Sequence, residues 1–143
     1  MSERRKKTLA TILLDENLEG YASYLSRCLF GDAWSELSLS LDLQLITFAE
    51  AGLAKGATDE TIWELCQKER LYLLTDNRNE DDIDSLGVMI RTRNLPTSFP
   101  VFTISDMNRF RSDRFYAEAA VARLLEYLAS AENLPGTGRL YVP

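Results

Sequence analysis

The chain is predicted to fold as a three-layer α/β/α sandwich with a mainly parallel central sheet. Three observations predict this class. Short apolar runs alternate with amphipathic helical stretches along the whole chain. The runs are uncharged and lack an inside-outside alternation, as expected for strands covered on both faces. Several of them stop abruptly at Asp, Asn or Ser, where a strand gives way to a loop or helix start.

The elements follow in order. Residues 1–7 (Met-Ser-Glu-Arg-Arg-Lys-Lys) form a basic arm, and a single domain is expected over 8–143. Leu9–Leu14 reads as the first strand, and Asp15, Glu16 and Asn17 follow at once. Leu18, Tyr21, Ala22, Leu25 and Leu29 then mark one face of a helix. Phe30–Asp42 reads as a loop with a short helical turn. Leu43–Phe48 reads as a second strand, and Ala49–Ala57, with Gly52 and Gly56, as a connector. Thr58 followed by Asp59 and Glu60 is a helix start, with Ile62, Leu65 and Cys66 as its apolar face.

Leu71–Thr75 is the next strand and breaks into the polar stretch Asp76–Asp82. A helix is expected from about Asp82 to Arg93, with Ile83, Leu86 and Ile90 inward. Two prolines place a loop at Asn94–Pro100, and Val101–Ile104 reads as a strand ending at Ser105 and Asp106. Arg109, Arg111 and Arg114 fall in the expected loop after it. Ala117, Val121, Leu124, Leu125 and Leu128 mark the last long helix, and Arg139–Val142 a final strand.

Composition narrows the function. At 143 residues, 45% hydrophobic and 27% charged, the chain is long enough for a proper core and has an ordinary globular balance. The net charge of −6 does not advertise a nucleic-acid binder, although a local basic patch can act within an acidic protein. The chain has no histidine, which excludes a Ser-His-Asp triad and the usual His-containing zinc sites. Cys28 and Cys66 have no metal-like spacing and read as reduced core residues of a cytoplasmic protein. No apolar run is long enough to cross a bilayer.

Acidic clusters stand at Asp15–Asn17, Asp59–Glu60 and Asp76–Asp82. Parallel strands deliver at least the first and third to one sheet edge, where ligands of open α/β sheets bind. Crowded carboxylates repel, and a hard divalent ion offsets that repulsion. Such an ion can activate water against a phosphodiester. The same residues also suit helix caps and first turns, so Asp15 and the acids at 80–84 carry a structural reading beside the chemical one. Asn77 and Asn79 likewise suit a turn.

Leu-Leu-Asp-Glu-Asn-Leu at 13–18, Thr-Asp-Glu at 58–60 and Leu-Leu-Thr-Asp-Asn-Arg-Asn at 73–79 resemble the PIN-like superfamily, specifically its small bacterial toxin-like branch. The resemblance covers roughly the first two thirds of the chain. It implies a metal-dependent ribonuclease using Mg²⁺ or Mn²⁺, with RNA as substrate, an antitoxin-like protein partner and a homodimer. Carried over residue by residue, the first-strand acid falls on Asp15 and the middle-helix acid on Asp59. The family's Thr-x-Asp-x-Asp pattern, laid on Thr75, falls on Asn77 and Asn79, and Asp76 is an acid one step out of register.

The catalytic candidates are therefore Asp15, Asp59, Asp76, Asn77 and Asn79, with Asp15, Asp59 and Asn77 as metal ligands. Glu19 and Asp81 are further acids the site can recruit. Arg78 is a phosphate contact or a partner of Asp15 in place of a metal. Arg109 and Arg111, interleaved with Phe110 and Phe115, suit a nucleic-acid backbone, or else a solvated surface paired with Asp106 and Asp113. Tyr21, Tyr24 and Trp34 read as core or partner contacts, and Trp63 as core or dimer surface. The two asparagines also support a rival reading: a binding or regulatory module that kept the fold and lost the chemistry. A phosphoryl-accepting receiver domain fits poorly, because no lysine follows Lys68.

Overall fold

Five strands, β1 (Thr11–Leu14), β2 (Gln44–Ile46), β3 (Tyr72–Thr75), β4 (Val101–Ile104) and β5 (Arg139–Val142), form one sheet in the order β2-β1-β3-β4-β5. Every neighbouring pair is parallel. The computed structural model describes residues 10–79 and 85–143. The basic arm at 1–7 and residues 80–84, with Asp81 and Ile83 among them, lie outside the described residues.

Side chains alternate across the sheet, so each strand feeds two cores. Ile12, Leu14, Tyr72, Leu74, Phe102 and Ile104 face one layer, built from α1 (Ala22–Leu29), α6 (Met107–Ser112) and α7 (Arg114–Ala129). Leu13, Leu73 and Val101 face the other, built from α3 (Phe48–Ala51), α4 (Asp59–Glu69) and α5 (Leu86–Arg93). Double coverage explains why the strands read as continuous apolar runs. The expected sandwich with its parallel sheet is what the chain forms. Among the described residues, no helix is long and apolar enough to cross a membrane.

Local chemistry shifts some expected boundaries. The second strand ends at Ile46, because Thr47 and Glu50 form a reciprocal capping box that starts α3 at Phe48. Gly52, at φ +83°, closes that helix within the expected connector. The segment carrying Arg109 and Arg111 is helix α6 rather than a loop: the Asp106 side chain accepts the Arg109 N–H at 3.1 Å and caps it. A short helix, α2 (Ser35–Ser40), occupies the stretch read as loop with a helical turn. The helix after β1 begins as a 3-10 turn over Glu16–Tyr21 before continuing as α1. Trp63 is 6% exposed and packs in the core of the α4 layer.

The strand order reverses at β1: the chain moves outward to β2, then crosses back to β3. A reversal of this kind opens a crevice beyond the carboxyl ends of the two central strands. Asp15 and Asp76 are the first residues past those two ends.

Candidate functional site at the ends of β1 and β3

Asp15 continues the sheet by one step, its N–H donating to Leu74 O at 2.9 Å. Extending the β1–β3 register past Leu14↔Leu74 sets Asp15 beside Thr75, on the face that packs against α4 and α5. The buried Thr75 hydroxyl donates to Asp15 Oδ2, and the Glu16 N–H donates to Oδ1 at 2.7 Å. Asp15 is thus the cap of the 3-10 turn as well as a sheet-edge acid. Burial pushes its carboxyl pKa above the ordinary value. The Thr75 and Glu16 donors hold it back, while the charges of Asp76 and then Asp59 add to the rise. These three carboxylates, from the ends of β1 and β3 and the start of α4, therefore share one electrostatic neighbourhood.

Asp59, the first residue of α4, accepts the Leu86 N–H at the start of α5 at 2.9 Å. It also faces Asn77, whose side-chain Nδ2 donates to Asp59 Oδ1 and Oδ2 at 3.2 and 3.1 Å. The other end of that amide is committed too, since Asn77 Oδ1 accepts the Asn79 N–H at 2.9 Å. Swapping the amide atoms would set oxygen against carboxylate and NH₂ against N–H, so the hydrogen bonds select this orientation. Asn77 presents donors, not a ligating oxygen, to Asp59. The Asn79 carbonyl accepts the Gly87 N–H at 3.1 Å.

Thr75 and Arg139 tie this loop down. The Asn77 N–H donates to Thr75 Oγ1 at 2.9 Å, so one hydroxyl serves both Asp15 and Asn77. Arg139, on β5, donates from Nη1 to Asn77 O and to the buried Thr103 Oγ1, each at 2.7 Å. Sequence reading gave Arg139 no such role. Its position 62 residues from Asn77 left no local signal.

The remaining candidates have partners of their own. Arg78 donates to the Ser105 carbonyl at the end of β4. Glu19 accepts the Phe48 N–H at 2.9 Å, and Glu16 the Gly56 N–H at 3.0 Å, so both acids brace loops. Arg109 pairs with Asp113 at 3.8 Å and lies over the Tyr116 ring at 4.5 Å, and Arg111 donates to Asn108 Oδ1 at 2.6 Å. Those two stand on α6, in the layer opposite the Asp59–Asn77 pair. The buried Cys66 thiol is pushed up to about 12, by burial first and then by the Asp15 charge, which makes it a poor nucleophile.

The donor set fits a hard cation in part. Among the described residues, no three acidic, histidine or cysteine side chains gather closely enough to cage a metal. Mg²⁺, however, is commonly held by one or two carboxylates with water and substrate oxygens completing its shell. Asp15 and Asp76 meet that lesser requirement in chemistry and in their shared position at the sheet reversal. Comparison of the chain with protein-family models, with curated proteins and with solved structures finds no match.

Proposed function

We propose that this chain is a metal-dependent ribonuclease of PIN-like type, working at the ends of β1 and β3. The observation that carries the reading is the place of Asp15 and Asp76 just past the ends of β1 and β3 at the strand-order reversal, with Asp15 raised by burial and then by the charges of Asp76 and Asp59. A carboxylate under that load is relieved by a cation.

Asp15 and Asp76 would hold Mg²⁺ or Mn²⁺. When bound, the ion supplies charge stabilisation at a phosphate and a more acidic water. The rest is done by the chain. Thr75 keeps the Asp15 carboxylate aimed, because its hydroxyl is fixed in turn by its buried place in β3. Arg78, exposed at the rim, meets a phosphate oxygen as charge builds. Asp59, held by three donor hydrogen bonds, adds its charge from behind Asn77. In this reading the domain acts in a cytoplasm, as a homodimer restrained by an antitoxin-like partner.

A second reading has its own support. The Asn77 amide supplies donors to Asp59 much as a cation supplies charge, which favours a binding module without cleavage. Cleavage of single-stranded and hairpin RNA in Mn²⁺ or in EDTA, with wild type and Asp15→Asn, decides between them. Mn²⁺-dependent cleavage that disappears in Asp15→Asn supports the enzyme. Folded wild type that cleaves neither RNA in Mn²⁺ leaves the binding module.

A further inference from the structure

Beyond the acidic site lies a cleft of about 310 Å³, lined by Tyr21, Tyr24, Phe110, Arg111, Ser112 and Arg114. Its floor is aromatic. Phe110 is 5% exposed and meets Tyr21 edge-on at 5.6 Å and Tyr24 edge-on at 6.5 Å between centroids, which leaves both tyrosines half-buried in the wall. Its rim is cationic. Arg111 hydrogen-bonds a neutral amide, Asn108 Oδ1, so that contact leaves its charge uncompensated. Arg114 pairs with Glu118 at 3.4 Å, but its side chain is 74% exposed, and an ion pair so hydrated is exchanged readily for a phosphate.

We propose that this cleft is a docking site for single-stranded RNA, in which a base stacks against Tyr21 and Tyr24 while Arg111 and Arg114 hold the adjoining phosphates. Flat aromatic surfaces flanked by guanidinium groups are what an unpaired, unstacked base and its backbone require. The volume lies at the small end of ligand cavities, suited to one base and not to a duplex.

Chain order places the cleft beside the acidic site. Tyr21 closes the 3-10 turn that Asp15 caps, and at ~2 Å rise per residue its Cα lies ~12 Å along from that of Asp15. Phe110 stands on the helix that follows Ser105, whose carbonyl accepts from Arg78. Arg78, in the loop after β3, thus reaches the segment that leads from β4 into α6. A strand seated in the cleft would cross the strand tips over Arg78 toward Asp15. Phe115, which follows Arg114 and is 77% exposed, leaves another large ring in solvent on the same helix.

The proposal rests on RNA as the ligand of the reading above, not on cleavage, so the two are tested apart. Fluorescence anisotropy of a short labelled oligouridylate is measured in EDTA, where no metal-dependent step runs. Wild type binds. The double charge reversal Arg111→Glu with Arg114→Glu weakens binding by more than ~10-fold and lowers the salt slope of the binding constant by ~1.4, as expected for two lost single-strand phosphate contacts. Tyr21→Leu with Tyr24→Leu, which keeps apolar packing, weakens it by about tenfold through lost stacking.

Asp15→Asn, which removes a carboxylate from the path of the phosphates, binds in EDTA at least as tightly as wild type. Loss of cleavage in Asp15→Asn with intact binding leaves the cleft standing, whereas intact cleavage in Asp15→Asn sinks only the nuclease reading. Unchanged affinity in the Arg111/Arg114 variant overturns the cleft, as does duplex bound as tightly as single strand, or displacement of the RNA by oligoglutamate at equal charge. Should the tyrosine pair fail to fold, the exposed arginine pair still decides.

Discussion

The side-chain amide of Asn77 donates to both carboxylate oxygens of Asp59, at 3.2 and 3.1 Å, while its own oxygen accepts the Asn79 N–H. One neutral residue thus joins the start of α4 to the loop after β3. It also sits where the resemblance calls for a carboxylate. Replacing it with Asp would remove two donors and set like charges at hydrogen-bond range. Asn77→Asp should lose about 1–3 kcal/mol of stability in EDTA, the scale of an unsatisfied polar group set beside a like charge. It should also recover stability in Mn²⁺ more than wild type does, reaching ~2.7 kcal/mol at a hundred times its dissociation constant. Thermal unfolding of both proteins with and without Mn²⁺ measures this. Equal responses would show that the amide does not set the site's demand for a cation.

Thr75 is the shared support of two candidates. Its buried hydroxyl donates to Asp15 and accepts from the Asn77 N–H, so Thr75→Val strands both at once without changing side-chain volume much. The expected cost is about 1–3 kcal/mol, and Thr75→Ser should recover most of it because the hydroxyl returns. Urea midpoints for the three proteins check this. A valine variant as stable as wild type would mean the hydroxyl is dispensable.

Asp15 carries a folded-state pKa above the ordinary carboxyl value, with burial as the leading cause. Between the unfolded and folded pKa the native state holds the extra proton, so stability falls as pH rises through that window, and the full penalty persists above it. Asp15→Asn removes the penalty while its amide can still pair with the Glu16 N–H and the Thr75 oxygen. In EDTA at neutral pH the variant should melt about 2–4 °C higher than wild type, equivalent to ~1 kcal/mol. The advantage should shrink as pH falls through the folded pKa of Asp15. A variant less stable than wild type at neutral pH would contradict the penalty.

Much of this fold was legible in the sequence because the parallel strands are buried on both faces. Leu13, Leu73 and Val101 supply one core while Ile12, Leu74 and Phe102 supply the other, so the runs stand out as uncharged. The second strand was overrun into Phe48 because an apolar residue continued the run. Yet Thr47 and Glu50, three apart, held the signal for the helix that replaces it. At the site, the strand-end position of Asp15 and Asp76 was readable, because each directly follows an apolar run. The orientation of Asn77 was not. It is set by the Asn79 N–H and by an acid 18 residues away, and neither leaves a trace in residue type.

Arg139 shows how a remote strand sets the geometry of the acidic site. Its Nη1 donates to Asn77 O and to Thr103 Oγ1, which ties the β3 loop to β4 and β5 through one guanidinium. A lysine keeps the charge but offers a compact ammonium in place of a planar fork with five donors, so Arg139→Lys loses the span more than the charge. The expected cost is about 1–3 kcal/mol, since one buried acceptor is left without its charged donor. If the loop position governs the site, the same variant should also change the pH at which Asp15 titrates, followed by carboxyl NMR. Stability lost with an unmoved Asp15 titration would confine Arg139 to packing, because its clamp would then not reach the carboxylates it helps to arrange.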